Sequence, residues 1–275
     1  MRNERTRRAI RLGRGVVCVS AMVLVLGLVV PALIPSPADA VAVTKPLVVV
    51  LCKFSDQTAE PHAVSYYEDL FTASGAGKKG AFDYWKDVSY GDLDLTGTVV
   101  KGWYTAAMTV AAFNTAARPD QIDTCAKAAD ADVDYTKFAG VIVLTNHTGL
   151  NGPLFGGGPG TRIAGTFYPN LGSMAAEEDQ QLSGILHEMG HLLGVDHSRK
   201  LSTSTVDYAD QYDIGSCLDC FTTPTYQATC RTGINTTTSP CPGGPGVNSV
   251  QLRTAGWLPA ARDGSWNNCS KNAGT

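Results

Sequence analysis

His187-Glu188-Met189-Gly190-His191-Leu192-Leu193-Gly194-Val195-Asp196-His197 decides how the rest of this chain is read. Three of the five histidines in the sequence fall within this run. On an α-helix, residues four apart lie on one face, one turn above each other. His187 and His191 therefore aim two imidazoles at one point. Glu188 sits one residue round the helix, too close for a third ligand but within reach of a water beside a metal. Gly194 permits the positive φ that ends a helix and reverses the chain, which lets His197 swing back as the third ligand. Three neutral imidazoles leave one position of a tetrahedral ion open, the arrangement of a catalytic rather than a structural zinc. Every fixed position of H-E-x-x-H-x-x-G-x-x-H is filled, and a plain helix surface gives no reason for that.

The helix that carries the motif is readable around it. Leu182, Ile185, Leu186, Met189, Leu192 and Leu193 recur at helical spacing and supply a buried face. Met189 belongs to that face, because zinc favours imidazole and thiolate over thioether. Glu177, Glu178 and Asp179 put negative charge near the helix N-terminus, where the dipole favours it.

The N-terminus reads as a targeting segment. Arginines crowd residues 1–14, an apolar run follows from Val16 to Ile34, and Ala38-Asp39-Ala40 offers a small-x-small cleavage pattern. Residues 1–40 are thus expected to be a signal peptide and the protein to be secreted. The alternative is a membrane anchor through an uncleaved 16–34 segment, since that run approaches the length of a span. Removing residues 1–40 takes six arginines, Glu4 and Asp39 from 22 basic and 25 acidic side chains, leaving 16 and 23 and a net charge of −7. That balance excludes nucleic acid as a natural partner. Once cleaved, the chain is expected to have no stable membrane association. Seven cysteines remain: Cys52, Cys125, Cys217, Cys220, Cys230, Cys241 and Cys269. In an exported protein they are expected to form disulfides, with one left over. Cys217 and Cys220 form a C-x-x-C, but their loop-like surroundings favour a stapled loop over a second zinc site or a redox pair.

Between these ends the elements alternate. Leu47–Leu51 is an apolar run that reads as a buried strand, residues 63–71 and 80–88 as helices with aromatic faces, and Asp92–Val100 as a second strand. A helix is expected around 119–130 and a third strand at Gly140–Thr145. Six glycines and two prolines in residues 149–160 predict a loop there. Arg162–Tyr168 is expected to be an edge strand that pairs with an extended substrate. The fold class is therefore α/β (α+β), a twisted mixed sheet plus the motif helix, with an irregular disulfide-bearing C-terminal lobe. Asp130-Ala131-Asp132-Val133-Asp134 has alternating carboxylates but lacks the glycine and glutamate of a calcium loop, so a calcium site has no support. His62 and His147 read as ordinary loop histidines.

The motif at residues 187–197 resembles that of the metzincin metallopeptidases. Within them the chain is similar to the secreted gametolysin-like and immune-inhibitor-A-like peptidases. The supporting segments are Tyr66-Tyr67-Glu68-Asp69-Leu70-Phe71, Tyr84-Trp85-Lys86-Asp87-Val88-Ser89-Tyr90-Gly91-Asp92-Leu93-Asp94-Leu95-Thr96-Gly97 and Leu252-Arg253-Thr254-Ala255-Gly256-Trp257-Leu258. The resemblance implies one catalytic domain over 41–275, with an upper lobe at 41–194, a lower lobe at 195–275, two long helices and a cleft across the metal. It also implies one catalytic Zn2+ on His187, His191 and His197, with Glu188 as general base for a zinc-activated water. The expected activity is endopeptidase cleavage of extracellular proteins or peptides. The alternatives are an inactive zinc-bearing binding or adhesion module, or a hydrolase of a non-peptide amide such as a cell-wall cross-link. One departure stands out. Metzincins carry a methionine in a turn beneath the zinc, and this chain has none after Met189. Asp207–Ser216 resembles the approach to that turn, with Ile214 or Leu218 expected to fill the space.

Overall fold

The structure, a computed structural model, describes residues 42–147, 154–180, 182–198, 213–216, 227–228, 241–242 and 246–258. The expected signal segment, its anchored alternative, Leu218 and most of the expected C-terminal lobe lie outside these residues. No helix among the described residues is long and apolar enough to cross a membrane.

The first half of the described chain gives β1 (Val43–Thr44), β2 (Leu47–Phe54), α1 (Val64–Phe71), α2 (Ala81–Val88), β3 (Leu93–Asp94), β4 (Val99–Ala106), α3 (Val110–Thr115) and α4 (Arg118–Ala128). There follow β5 (Gly140–Thr145), β6 (Leu154–Gly157), β7 (Thr161–Ile163), β8 (Thr166–Tyr168), β9 (Gly172–Glu177) and α5 (Leu182–Leu193). Short pieces β10 (Gln227–Ala228), β11 (Cys241–Pro242) and α6 (Ser249–Ala255) come last.

The result is a mixed α/β protein built on a twisted, mostly parallel sheet of order β4-β2-β5-β9-β6. The first four strands run parallel, and β6 pairs antiparallel with β9 at the edge. The apolar run of β2 follows from this placement. Leu47, Val49 and Leu51 face one core and Val48, Val50 and Cys52 the other, all fully buried. A strand covered on both faces has no polar side to show, so it reads as continuous hydrophobicity. Core residues of α1, α2 and α5 fill one face, and those of α3 and α4 fill the other.

A disulfide joins Cys52 of β2 to Cys125 of α4 across the second core. Cys217, Cys220, Cys230 and Cys269 lie outside the described residues, and Cys241 is described in its backbone alone. The C-terminal Leu252–Leu258 segment is part of the first core. Trp257 is fully buried and meets Trp85 of α2 edge to face, with ring centroids 5.9 Å apart.

Three expectations need correcting. The stretch Asp92–Val100 is two strands, because Thr96 turns back onto the Asp94 carboxylate (2.8 Å) and breaks the run. Residues 154–157 of the glycine-rich stretch form strand β6 rather than loop. Arg162–Tyr168 is accordingly not the sheet edge: residues 161–163 and 166–168 pair with each other as a hairpin, and β6 takes the edge. The acidic calcium-like stretch is engaged by its neighbours, with Asp132 accepting from the Tyr104 hydroxyl and Asp134 from Thr136.

Candidate metal centre

Helix α5 presents His187 and His191 from one face, four residues apart, as its periodicity requires. Its C-terminus closes with Gly194 at φ +98°, the Gly194 N–H on His191 O (3.2 Å) and the Val195 N–H on Gly190 O (2.8 Å). That reciprocal pair satisfies the last carbonyls of the helix while the left-handed glycine turns the chain back. Half-buried Lys45 adds a further donor to Leu193 O at the same end (3.3 Å). The reversal returns His197 to the first two histidines. Its ring centroid lies 4.6 Å from His191 and 5.5 Å from His187.

The three histidines converge as expected, each offering one ligand atom, all within 4.8 Å of one another. This group could hold a metal ion, and it is the one such cluster among the described residues. The donor set fits that role closely. His187 Nδ1 donates to the Ile214 carbonyl (2.6 Å) and His191 Nδ1 to the Val195 carbonyl (2.8 Å). A carbonyl can only accept, so both neutral rings carry their proton on Nδ1. Their Nε2 lone pairs then face each other at 3.2 Å, an arrangement repulsive by itself and favourable around a shared cation. Burial pushes His187 down to about 4, aided by the neighbouring imidazoles and opposed by the Ile214 hydrogen bond. Burial also lowers His191. Neutral imidazole is the state that binds metal.

Glu188 is buried beside this cluster, and burial pushes its carboxyl up to about 7. The backbone N–H of Gly156 on β6 and the positive charge of Arg118 pull the other way. Gly156 is required for this approach. A Cβ there would stand 2.3 Å from Glu188 O on the α5 backbone, so any side chain would push the edge strand off the helix. The edge strand and the glutamate of the motif are thus locked together.

The floor of the site contains Ile214. Its side chain is fully buried in the core cluster that includes Met189, Leu193, Val195 and Trp257. Around it the backbone is tied down. Ser198 N–H donates to Gly215 O (3.1 Å), Ile214 N–H to Gly246 O (2.8 Å), and the buried Asp213 carboxylate accepts from Ser198, Asn248 and the Gly215 N–H. The segment after His197 is therefore fastened to the turn that orients His187. Sequence reasoning named Ile214 as a filler but missed the carbonyls of Ile214 and Val195, and it missed Gly156. Backbone partners leave no residue-type signal.

The acids before α5 do something other than meet its dipole. Glu177 ends β9 and pairs with His147 Nδ1 (2.7 Å), and Glu178 accepts from the Tyr67 hydroxyl (3.0 Å) with His62 Nε2 at 3.9 Å. Burial pushes Glu178 up to about 7, with the Tyr67 hydrogen bond opposing and Asp179 reinforcing. A carboxyl raised in the folded state stabilises the fold in acid, and that contribution is lost as pH rises through about 7. Glu178→Gln should therefore match wild type near pH 4.5 and exceed it at pH 8 by about 1–3 kcal/mol, read by urea unfolding at both pH values. A variant less stable than wild type at pH 8 would show that the ionised carboxylate is worth keeping there.

No protein-family model matches the chain, and no curated protein matches it.

Proposed function

We propose that the protein is an exported zinc endopeptidase of the metzincin class. The observation that carries this reading is the joint geometry of three converging imidazoles, two with Nε2 freed by backbone acceptors, and a buried glutamate beside them. His187, His191 and His197 are the residues that would hold the ion. When bound there, zinc supplies a Lewis acid that acidifies water towards about pH 7 and polarises a carbonyl.

The chain's own contribution lies around that chemistry. Glu188, raised by burial to about 7, holds a proton far more readily at neutral pH than an exposed carboxylate. It accepts the proton from water as the peptide carbonyl is attacked, and returns it to the leaving amine. Ile214 and Val195 keep two imidazoles in the ligating tautomer throughout. Among the described residues β6 pairs only with β9, and its other edge, beside Glu188, is the one we assign to an extended peptide. A sheet with an edge strand beside the motif helix also agrees with the cleft that the metzincin resemblance implies.

The rival reading, a zinc-bearing module without activity, drew its force from the absent methionine. Buried Ile214, with its carbonyl on His187, weakens that motive. Incubation of the purified protein with casein should give cleavage that 1,10-phenanthroline removes and added zinc restores. Stoichiometric zinc without chelator-sensitive cleavage would favour the binding module. Cleavage of amide-linked cell-wall fragments but not of casein would favour the non-peptide hydrolase.

A further inference from the structure

On the side of β6 away from α5 lies a cavity of about 370 Å³. Phe155, Gly156 and Gly157 of β6, the first turn of α4 and the β7–β8 hairpin line it. Two arginines enter it from different elements. The Arg118 guanidinium carbon lies 5.0 Å from the centroid of the Phe155 ring, and that of Arg162 lies 5.3 Å from the Phe167 ring. Neither forms an ion pair among the described residues and no acid lines the cavity, although the charge of Arg118 is also felt by Glu188 across β6. Asp123, further along α4, is already engaged by the backbone N–H of Ala164 (2.7 Å).

We propose that this cavity is a subsite for an acidic side chain, glutamate above all, of a polypeptide lying along β6; the proposal rests on the peptidase reading. A guanidinium held over an aromatic face uses the ring and not an acceptor as its partner, which leaves its N–H fork for a carboxylate. The ring contact also restricts the side chain beforehand, so less rotamer freedom is lost on binding. The apolar wall of Phe155 and Ile122 suits the methylene stem of the ligand, and the two cations suit its end. The strand geometry explains why a peptide residue reaches it. Phe155 faces the second core, whereas a Cβ on Gly156 would point into α5. A chain paired along β6 must alternate likewise, with one set of side chains towards the metal centre and the other towards the arginines. Gly156 belongs to both places, bonding Glu188 and lining the cavity. The acid-binding position therefore lies within a residue or two of the scissile bond.

The test is a positional library of acetylated, amidated nonapeptides carrying Glu, Gln or Lys at one position at a time. Binding is read by fluorescence anisotropy on the zinc-loaded Glu188→Ala chain, and cleavage on wild type. At one position, or at two alternate ones, Glu should bind about tenfold tighter than Gln, and Lys weaker still, as a charge-assisted contact predicts. Arg118→Gln with Arg162→Gln should erase the preference without lowering the melting temperature, since both side chains are exposed. Replacing both with glutamate should turn the preference to Lys. A flat library or a preference that survives the double variant would each overturn the proposal. Acid-selective binding without chelator-sensitive cleavage would remove the peptidase reading and keep the subsite. Cleavage without acid selectivity would do the reverse.

Discussion

Glu188→Ala should keep one zinc per chain and lower kcat/KM for peptide cleavage by about 10²–10⁴-fold or more. The two halves of this expectation have separate causes. Metal retention follows because the ligands are not oriented by Glu188. His187 is held by the Ile214 carbonyl and His191 by the Val195 carbonyl, both untouched by the substitution. Alanine is the best helix former, so α5 keeps its shape and the spacing of its histidines. Loss of cleavage follows because the neighbouring buried carboxylates are engaged elsewhere, Asp213 by Ser198, Asn248 and the Gly215 N–H. Glu178 is engaged by Tyr67, and Glu177 by His147. Glu188→Gln refines the result. It keeps an oxygen for the Gly156 N–H but cannot take a proton, so it should be as inactive as alanine while anchoring the edge strand better. Zinc content by inductively coupled plasma mass spectrometry, measured beside casein cleavage, checks both halves. Cleavage at the wild-type rate would remove Glu188 from the mechanism, and loss of zinc would make it a structural part of the site.

What could be seen in advance depended on how local the cause was. The ligand set needs only the helical period and one glycine, all within residues 187–197, and the convergence of the imidazoles follows that reading. Strands β2 and β5 were equally plain, because strands buried on both faces announce themselves by unbroken hydrophobicity. Strand β6 was hidden for the opposite reason. Strand signals are carried by side chains, and at Gly156 contact with α5 forbids one. The glycine that looked like a loop is what allows the strand to lie against the helix. The roles of Glu177 and Glu178 were also out of reach. Their partners arrive through the parallel register of β5 with β9 and through α1 packing on the sheet, at separations of 30 and 111 residues. Composition spoke only to the overall charge and said nothing of Arg118 and Arg162, which gain meaning only when α4 and the β7–β8 hairpin meet at one cavity.

The floor of the site was half legible, and it yields a sharp expectation. Absence of a methionine beyond Met189 was visible, as was Ile214 as a candidate replacement, but its backbone role was not. Ile214→Ala should destabilise the protein by about 2–5 kcal/mol, because it opens a cavity in a cluster of fully buried side chains. The damage should extend to the metal. With the side chain gone, the turn at Asp213–Ser216 loses its anchor in the core, and the Ile214 carbonyl holds His187 less firmly. Loosening such an outer partner costs about 10–100-fold in metal affinity. Ile214→Met separates packing from chemistry. It conserves volume, keeps the carbonyl in place, and should cost less than about 1.5 kcal/mol with zinc affinity close to wild type. Urea unfolding of the metal-free chains gives the first quantity, and competition with a chromogenic zinc chelator gives the second. If Ile214→Ala lost stability but kept full zinc affinity, the Asp213 network with Ser198 and Asn248 would be the true support of His187, and Asp213→Asn would then be the variant to weaken it. If Ile214→Met alone raised zinc affinity or cleavage, the site would have been working with a suboptimal floor, and the departure from the metzincin pattern would have a measurable cost.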